Sequence, residues 1–329
     1  MRILTNMAFW QCPYWVERTD CIYDLKGATA DPVFLPAWKE AWRLFRRNRE
    51  YDVILTMEPR TSLAYGLLCA MTGRLSKQIM TEVFIDQPRR ANPFWRLKTA
   101  LYRWVARRAI GMLTLSTAEL ESVAERFGLP RERLRFIPLQ CTIEEPRQAP
   151  TDEGFVVSAG RSLRDYATMV RAAPKIRVPV VILCGRRDEI PEGPLPANLT
   201  IKRDVPREEY VDTLARSAIV ALALRESLRP TGQVVMLEAM GLGKPVVVTR
   251  HPGTVDYIRD GENGFLVEPG DADGMARAVQ MLLKDPGLRR RIGQQALEDV
   301  RRHYFLQAHA EARLQAISEL LSAANSETT

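Results

Sequence analysis

Thr231-Gly232-Gln233, followed two helical turns later by Glu238, is the grouping in this chain best suited to hold a phosphorylated ligand. The triplet falls where an apolar run ends and a helix begins. Thr231 suits the N-cap position, and Gly232 allows close approach of the backbone. Unpaired N–H groups and the helix dipole at such an end favour an anion, most often a phosphate. Glu238 has a spacing from Val234, Leu237 and Met240 that need not bury it. A carboxylate beside a phosphate site serves better as an acceptor of ribose hydroxyl hydrogen bonds than as a phosphate ligand.

The elements that must position these residues are legible around them. Residues 217–224 form an apolar run of strand length, Val234 to Leu242 reads as a short helix, and Gly243-Lys244-Pro245 stops it. Val246 to Val248 is a second buried strand, so the whole makes one parallel βαβ unit. In an open parallel sheet, ligands sit outside the carboxyl ends of the strands. The residues Leu237-Glu238-Ala239-Met240, Gly243, Pro245 and Val246-Val247-Val248 resemble the donor-site pattern of glycosyltransferase family 4, whose fold is the two-domain GT-B arrangement. Two departures stand out. The family's first Glu would fall at Pro230, and Thr231-Gly232-Gln233 replaces Gly-Phe-Gly, a variant associated with bacterial polysaccharide transferases. The closing segment DGENGFLVEPGD, residues 260–271, also resembles the family.

The resemblance carries further residues with it. Gly160-Arg161 follows the apolar run that starts at Phe155 and corresponds to the family's phosphate-binding Gly-Arg pair; a guanidinium there can clamp a diphosphate bidentately. The family's later lysine has no counterpart, and Arg164 is the nearest cation. Gly185 and Val205, each after a strand, correspond to positions that wall the nucleotide base. His251 begins another loop at a strand's end, where a structural role is favoured over one in the site.

At 329 residues the chain is long enough for two domains. A formal charge of +7 describes a basic surface and not a fold. The five cysteines include no Cys-x-x-Cys pair, which fits reduced thiols of a cytoplasmic protein. All three histidines lie beyond residue 250, arguing against a histidine-rich metal site. No span reaches 18 uncharged apolar residues, so neither a signal peptide nor a transmembrane helix is expected. Nucleic-acid binding would need aromatic platforms in a basic groove, and none can be placed.

In the first half, Met1 to Phe9 reads as an opening strand, and Gln78 to Phe84 as a third one. Trp10, Tyr14 and Trp15 suit either sugar stacking or burial between domains. Glu82 and Asp86 leave the third strand where relatives place a histidine near the donor sugar and acceptor. Asp86 is therefore a catalytic candidate, alongside Arg161 and Arg164, with a solvated loop as its alternative. Residues 88–111 carry seven Arg or Lys and no acid. Phe94, Leu97, Leu101, Trp104 and Val105 form one helical stripe there, flanked by Trp95 and Tyr102. With Arg96 and Arg103 beside Trp95 and Trp104, the helix suits either an anionic membrane surface or ordinary docking onto a sheet.

These readings divide the chain at 1–145, 146–300 and 301–329: an acceptor-binding Rossmann-like domain, a nucleotide-sugar-binding one, and a final helix returning to the first. Residues 140–153 are the expected linker. The fold class is α/β, two doubly wound domains facing a cleft. The resemblance implies transfer of a sugar, with retention of configuration, from a nucleotide-diphosphate donor to a glycan or lipid-linked acceptor. It implies no cofactor, and no metal where cationic groups stabilise the departing diphosphate. The site of action would be the inner face of the membrane. A GT-B sugar-nucleotide isomerase and a catalytically inactive nucleotide-sugar-binding member remain the alternatives.

Overall fold

The computed structural model describes residues 1–25, 28, 32–83, 93–149 and 151–326. The chain forms two compact units, Met1–Ile137 with Gln307–Thr329, and Pro138–Leu306.

The first unit is built on strands β1 (Ile3–Thr5), β2 (Asp20–Cys21), β3 (Val53–Met57), β4 (Gln78–Thr81), β5 (Gly111–Thr114) and β6 (Leu134–Phe136). They form one sheet in the order β2-β1-β3-β4-β5-β6, and every pairing is parallel. From β2 through β3 to β6 each connection steps the same way, so right-handed crossovers place the intervening helices on one face. Those helices are Ala37–Arg47, Pro59–Met71, Pro93–Arg108 and Glu119–Phe127. The helix Leu306–Ser326 completes the unit by burying Ala310, Arg313, Ala316, Ile317 and Leu320. Gly111 admits it: a Cβ there would stand 3.0 Å from Leu320 Cδ2 and 2.5 Å from the carbonyl of Arg133.

Several sequence expectations shift here. The opening strand is only Ile3–Thr5, and β4 ends at Thr81 instead of Phe84. The aromatic stripe of Pro93–Arg108 splits. Tyr102, Val105 and Ala106 face the core, while Phe94, Leu97 and Trp104 are exposed and Trp95 is half-buried. Arginines at 107 and 108 take the solvent side of a helix whose sheet-facing stripe is narrower than its apolar content.

The second unit holds β7 (Val156–Ala159), β8 (Val180–Cys184), β9 (Leu199–Arg203), β10 (Ile219–Leu222), β11 (Val246–Thr249) and β12 (Phe265–Val267). Their order is β12-β11-β10-β7-β8-β9, again all parallel. Strands β8 and β9 extend the sheet one way from β7, and β10 to β12 extend it the other. The order therefore reverses between β7 and β10, the place where doubly wound sheets open a ligand crevice.

The stretch 140–153 does not behave as a free linker. Cys141 N–H donates to the Tyr304 carbonyl at 2.7 Å, and Ala149 N–H to that of Leu242 at 3.0 Å. Ile143 packs against the core that contains Leu237 and Met240. The two crossings between units thus fall at Ile137/Pro138 and Leu306/Gln307, earlier and later than the boundaries read from composition. Proline content marked a polar segment, but its apolar members had a surface to cover.

Candidate active site

Three loops leave the carboxyl ends of β7, β10 and β11 and lie side by side at the reversal point. The loop after β7 is stitched to the one after β10 by backbone. Asp165 N–H donates to the Ala223 carbonyl, and Arg225 N–H to that of Leu163, both at 2.9 Å. Thr231 Oγ1 donates to the Ser162 carbonyl at 3.0 Å. The loop after β11 closes from the far side. Gly253 sits so near that a Cβ would lie 2.4 Å from the Thr231 carbonyl oxygen and 2.5 Å from its nitrogen.

Gly160 opens the first loop at φ +122°, a conformation that disfavours any side chain. A Cβ there would also collide with the Arg164 guanidinium. Arg164 is almost wholly buried, and Nε and Nη1 are already used: they donate to the carbonyls of Ala159 at 2.8 Å and Ser162 at 2.7 Å. Its main work is to hold the loop in shape. Nη2 finds no partner among the described residues and is the donor left for a ligand. Arg161 is the opposite case. It is exposed, and its one ion-pair partner among the described residues is Asp204 Oδ1, at 3.6 Å, while Arg186 takes the other oxygen at 2.9 Å. Exposed pairs of this kind hold weakly, and one carboxylate between two guanidinium groups leaves a net positive rim.

The helix Gln233–Gly241 begins at Gly232, not Thr231. Gly232 is left-handed at φ +89° and carries no side-chain cap, because the Thr231 hydroxyl is drawn to Ser162. The first turn is consequently not blocked by a capping side chain, and Val234 there is exposed. Gln233 is buried, with Nε2 donating to Tyr257 Oη at 3.2 Å. His251 is buried too, with Nδ1 accepting from Gly253 N–H at 3.1 Å. Burial, and then the Arg164 charge, push its imidazole down to about 4. Its Nε2 has no partner among the described residues.

Glu238 departs furthest from the reading of its spacing. It is 1% exposed, because the helix carrying it is apolar on all sides and buried along its length apart from Val234. The carboxylate is held by three side chains: Arg207 Nη1 reaches Oε1 at 2.6 Å, Thr142 Oγ1 donates to the same oxygen, and Tyr210 Oη donates to Oε2 at 2.5 Å. Three of its roughly four lone-pair positions are taken, which leaves room for one more donor. Burial and the Glu238 charge beside it push the Tyr210 phenol well up, so it stays a donor.

Gly185 lies at the end of β8, its N–H donating to Asp188 Oδ2 at 2.6 Å and its open face against the Arg161 side chain. Val205 follows β9 and packs partly into the core. Thus Gly160, Arg161, Arg164, Gly185, Thr231, Gly232 and Gln233 come to one edge of one sheet. Glu238 sits along the helix behind it, with Val205 in the turn before Arg207. Asp86 lies outside the described residues. Arg96 and Arg103 are exposed on the first unit, Arg103 donating to the carbonyls of Arg126 and Glu125. Sequence reasoning missed Arg207, Tyr210 and Thr142. Thr142 had no local signal, since 96 positions separate it from its partner.

Comparisons with known proteins bear on the family and the fold. Residues 142–299 match the family model described as glycosyl transferases group 1, and residues 23–139 that of Glycosyltransferase Family 4. The lipopolysaccharide core biosynthesis glycosyltransferase LpsE of Rhizobium meliloti is 30% identical over 176 residues, 51% of this chain and 51% of that protein. The MMP alpha-(1->4)-mannosyltransferase of Mycolicibacterium hassiacum is 26% identical over 220 residues, 60% of this chain and 54% of that one. The chain spans about half the length of these relatives in the matched regions. Among solved structures, Anabaena Alr3699/HepE in complex with UDP aligns with a TM-score of 0.71 at 17% identity, covering 97% of this chain and 100% of that one. At that identity the likeness speaks for the fold.

Proposed function

Since the chain belongs to the glycosyltransferase family 4-like proteins of the GT-B fold, we propose that it moves a sugar from a nucleotide-diphosphate donor to a glycan or lipid-linked acceptor. The observation that carries this reading is the stitched floor of loops 160–165, 223–233 and 251–254. It offers the unblocked first turn of a helix, one free guanidinium nitrogen and an exposed arginine to a diphosphate. Glu238 stands one helix length behind, with capacity for a ribose hydroxyl. The relative solved with UDP supports a uridine donor.

In this reading the donor's anomeric C–O bond breaks while Arg161, Arg164 and the first-turn N–H groups meet the charge growing on the departing diphosphate. The acceptor oxygen attacks from the same face, and its proton passes to a leaving phosphate oxygen. Configuration is retained without a protein nucleophile.

Two faces of the first unit support contact with an anionic membrane surface. The helix Pro93–Arg108 exposes Phe94, Leu97 and Trp104 among arginines. Ala37–Arg47 exposes Trp38 and Trp42 beside Lys39, Arg43 and Arg46, while its one acid, Glu40, turns inward to Tyr23, Asn6 and Thr61. Cations with interfacial aromatics favour anionic lipid.

Calorimetric titration with a panel of nucleoside diphosphates, then sugar-nucleotide turnover with and without acceptors, tests the reading. A transferase binds one base preferentially and consumes the sugar nucleotide faster with acceptor. Binding without any turnover would identify the inactive member, and no nucleotide binding would sink the proposal altogether.

A further inference from the structure

The first unit buries a cation whose one carboxylate neighbour among the described residues stands at the edge of ion-pair range. Arg313, on the helix Leu306–Ser326, has no exposed surface. Nη1 donates to Thr81 Oγ1 at 3.1 Å and to Met7 Sδ at 3.2 Å, and Nη2 lies 3.0 Å from His309 Nε2. These partners are a hydroxyl, a thioether and an imidazole. The nearest carboxylate oxygen, Glu82 Oε1, stands 3.8 Å away. Burial pulls the guanidinium down to about 10, with Glu82 pulling the other way, so the charge persists at neutral pH.

Two buried donors here are unused among the described residues. Arg313 Nε and Trp15 Nε1 find no acceptor among the described residues. Both residues pack on one ring. Phe9 lies edge-on to Trp15 at 5.6 Å and to His309 at 5.7 Å, and the Arg313 guanidinium carbon is 5.7 Å from its centroid. Phe9 is only half-buried, whereas the groups beneath it are fully covered. Met7 and Phe9 follow β1, and Thr81 and Glu82 end and follow β4. The cluster therefore occupies the carboxyl edge of the parallel sheet, where such sheets take ligands. A strut that only fastens the helix gains nothing from this charge, since desolvating an ion costs several kcal/mol and an apolar side chain of like volume packs more cheaply.

We propose that Arg313 and Trp15 form an oxyanion site for a phosphate group of the acceptor, with Thr81 holding the guanidinium and Phe9 as the ring that covers it. Phe9 turns outward, and the phosphate accepts from Arg313 Nε and Nη2 and from Trp15 Nε1. A phosphate ester brings three acceptor oxygens to these divergent donors, where a planar carboxylate brings two. Glu82, the nearest counter-charge, is partly exposed and has room to turn to solvent. Only the word acceptor rests on the glycosyltransferase reading; the site itself does not.

The test uses full-length protein labelled with nitrogen-15 in tryptophan, the Trp15 indole signal being assigned with Trp15→Phe. Inorganic phosphate, glucose 1-phosphate and farnesyl phosphate in neutral detergent are each titrated against chloride at equal ionic strength. The Trp15 signal moves saturably with phosphate and not with chloride. Tighter binding of farnesyl phosphate assigns a lipid phosphate, and tighter glucose 1-phosphate a soluble phosphorylated glycan. Arg313→Met weakens binding about tenfold or more. Phe9→Ala, made at a half-exposed ring, tightens it by about threefold because the cover is gone, and it decides the matter if Arg313→Met does not fold. A Trp15 signal unmoved by any phosphate into the millimolar range, or unchanged affinity in Phe9→Ala, overturns the site. UDP titration of the same samples reports on the second unit: failure there removes the glycosyltransferase reading and leaves the phosphate result standing.

Discussion

At the scale of single residues, the two arginines of the Gly160-Arg161 loop divide the labour. Arg164 spends Nε and Nη1 on loop carbonyls, so its removal is expected to unsettle the loop. Arg161 is exposed and lightly held, so Arg161→Ala leaves the fold intact. It should lower kcat more than it raises the donor's KM, because diphosphate charge builds toward the transition state. Steady-state kinetics checks this: a raised KM with unchanged kcat would make Arg161 a ground-state ligand only. His251 gives a pH prediction. Above pH 6.5 its ring is neutral in both folded and unfolded chains and contributes nothing. Between there and about 4 the unfolded chain takes a proton that the folded one refuses. Stability therefore falls with falling pH, by up to about 1.4 kcal/mol per unit, and the loss levels off below the folded value. Denaturant titrations of wild type and His251→Gln at about pH 7, 6 and 5 check it. Parallel pH dependences would mean that His251 is not a buried neutral ring.

At the scale of elements, the site is a set of loops pressed together, and glycine permits the pressing. Gly253→Ala puts a methyl into the Thr231 backbone, so either loop must move. The expected cost is about 1–3 kcal/mol in stability. Nucleotide affinity should also drop, since the displaced loop carries the helix start. Denaturant melts and calorimetry on one preparation test both, and retained affinity in the variant would separate loop 251–254 from the donor site. The helices Ala37–Arg47 and Pro93–Arg108 make a different prediction. Trp38 and Trp42 are exposed by 64% and 48%, so Trp38→Ala with Trp42→Ala should leave the melting temperature unchanged. Co-sedimentation with anionic vesicles should weaken, and binding by wild type should fall with added salt at roughly 1 kcal/mol per engaged cation. Wild type remaining in the supernatant at low salt would reduce both helices to scaffold.

At the scale of the whole molecule, one unit is assembled from both ends of the chain. Gln307–Thr329 closes the sheet that starts at Ile3. Deleting residues 307–329 would uncover the contact of Leu320 with Gly111 and the neighbours of Ile317 and Arg313. Hydrogen exchange should accelerate along β1, β4 and β5, while β7, β10 and β11 keep their protection and UDP binding survives. Exchange accelerating equally in both units would show that they unfold as one. The linker expected at 140–153 belongs to this scale as well. Its polar composition was visible, yet Cys141, Thr142 and Ala149 bind to the helix and strand regions around Leu237, Glu238 and Leu242.

What the amino-acid sequence determined by itself was local: the strand–helix–strand unit around Glu238, the glycines that permit tight loops, and the phosphate-seeking character of Gly160-Arg161 and Thr231-Gly232-Gln233. Apolar runs and backbone freedom act within a few residues, so their spacing carries them. What only the tertiary structure decided were the partners. The order reversal between β7 and β10 turns three separate loops into one edge. A largely apolar helix buried along nearly its whole length sinks Glu238, and Arg207, Tyr210 and Thr142 then hold its charge from 31, 28 and 96 positions away. The same holds for Arg313, a residue in the final helix that was read as returning to the first domain. It becomes a fully buried cation because its helix returns to a sheet that starts some 300 positions earlier. Burial and charge compensation are properties of what surrounds a side chain, and those surroundings are set by contacts between segments far apart in the chain.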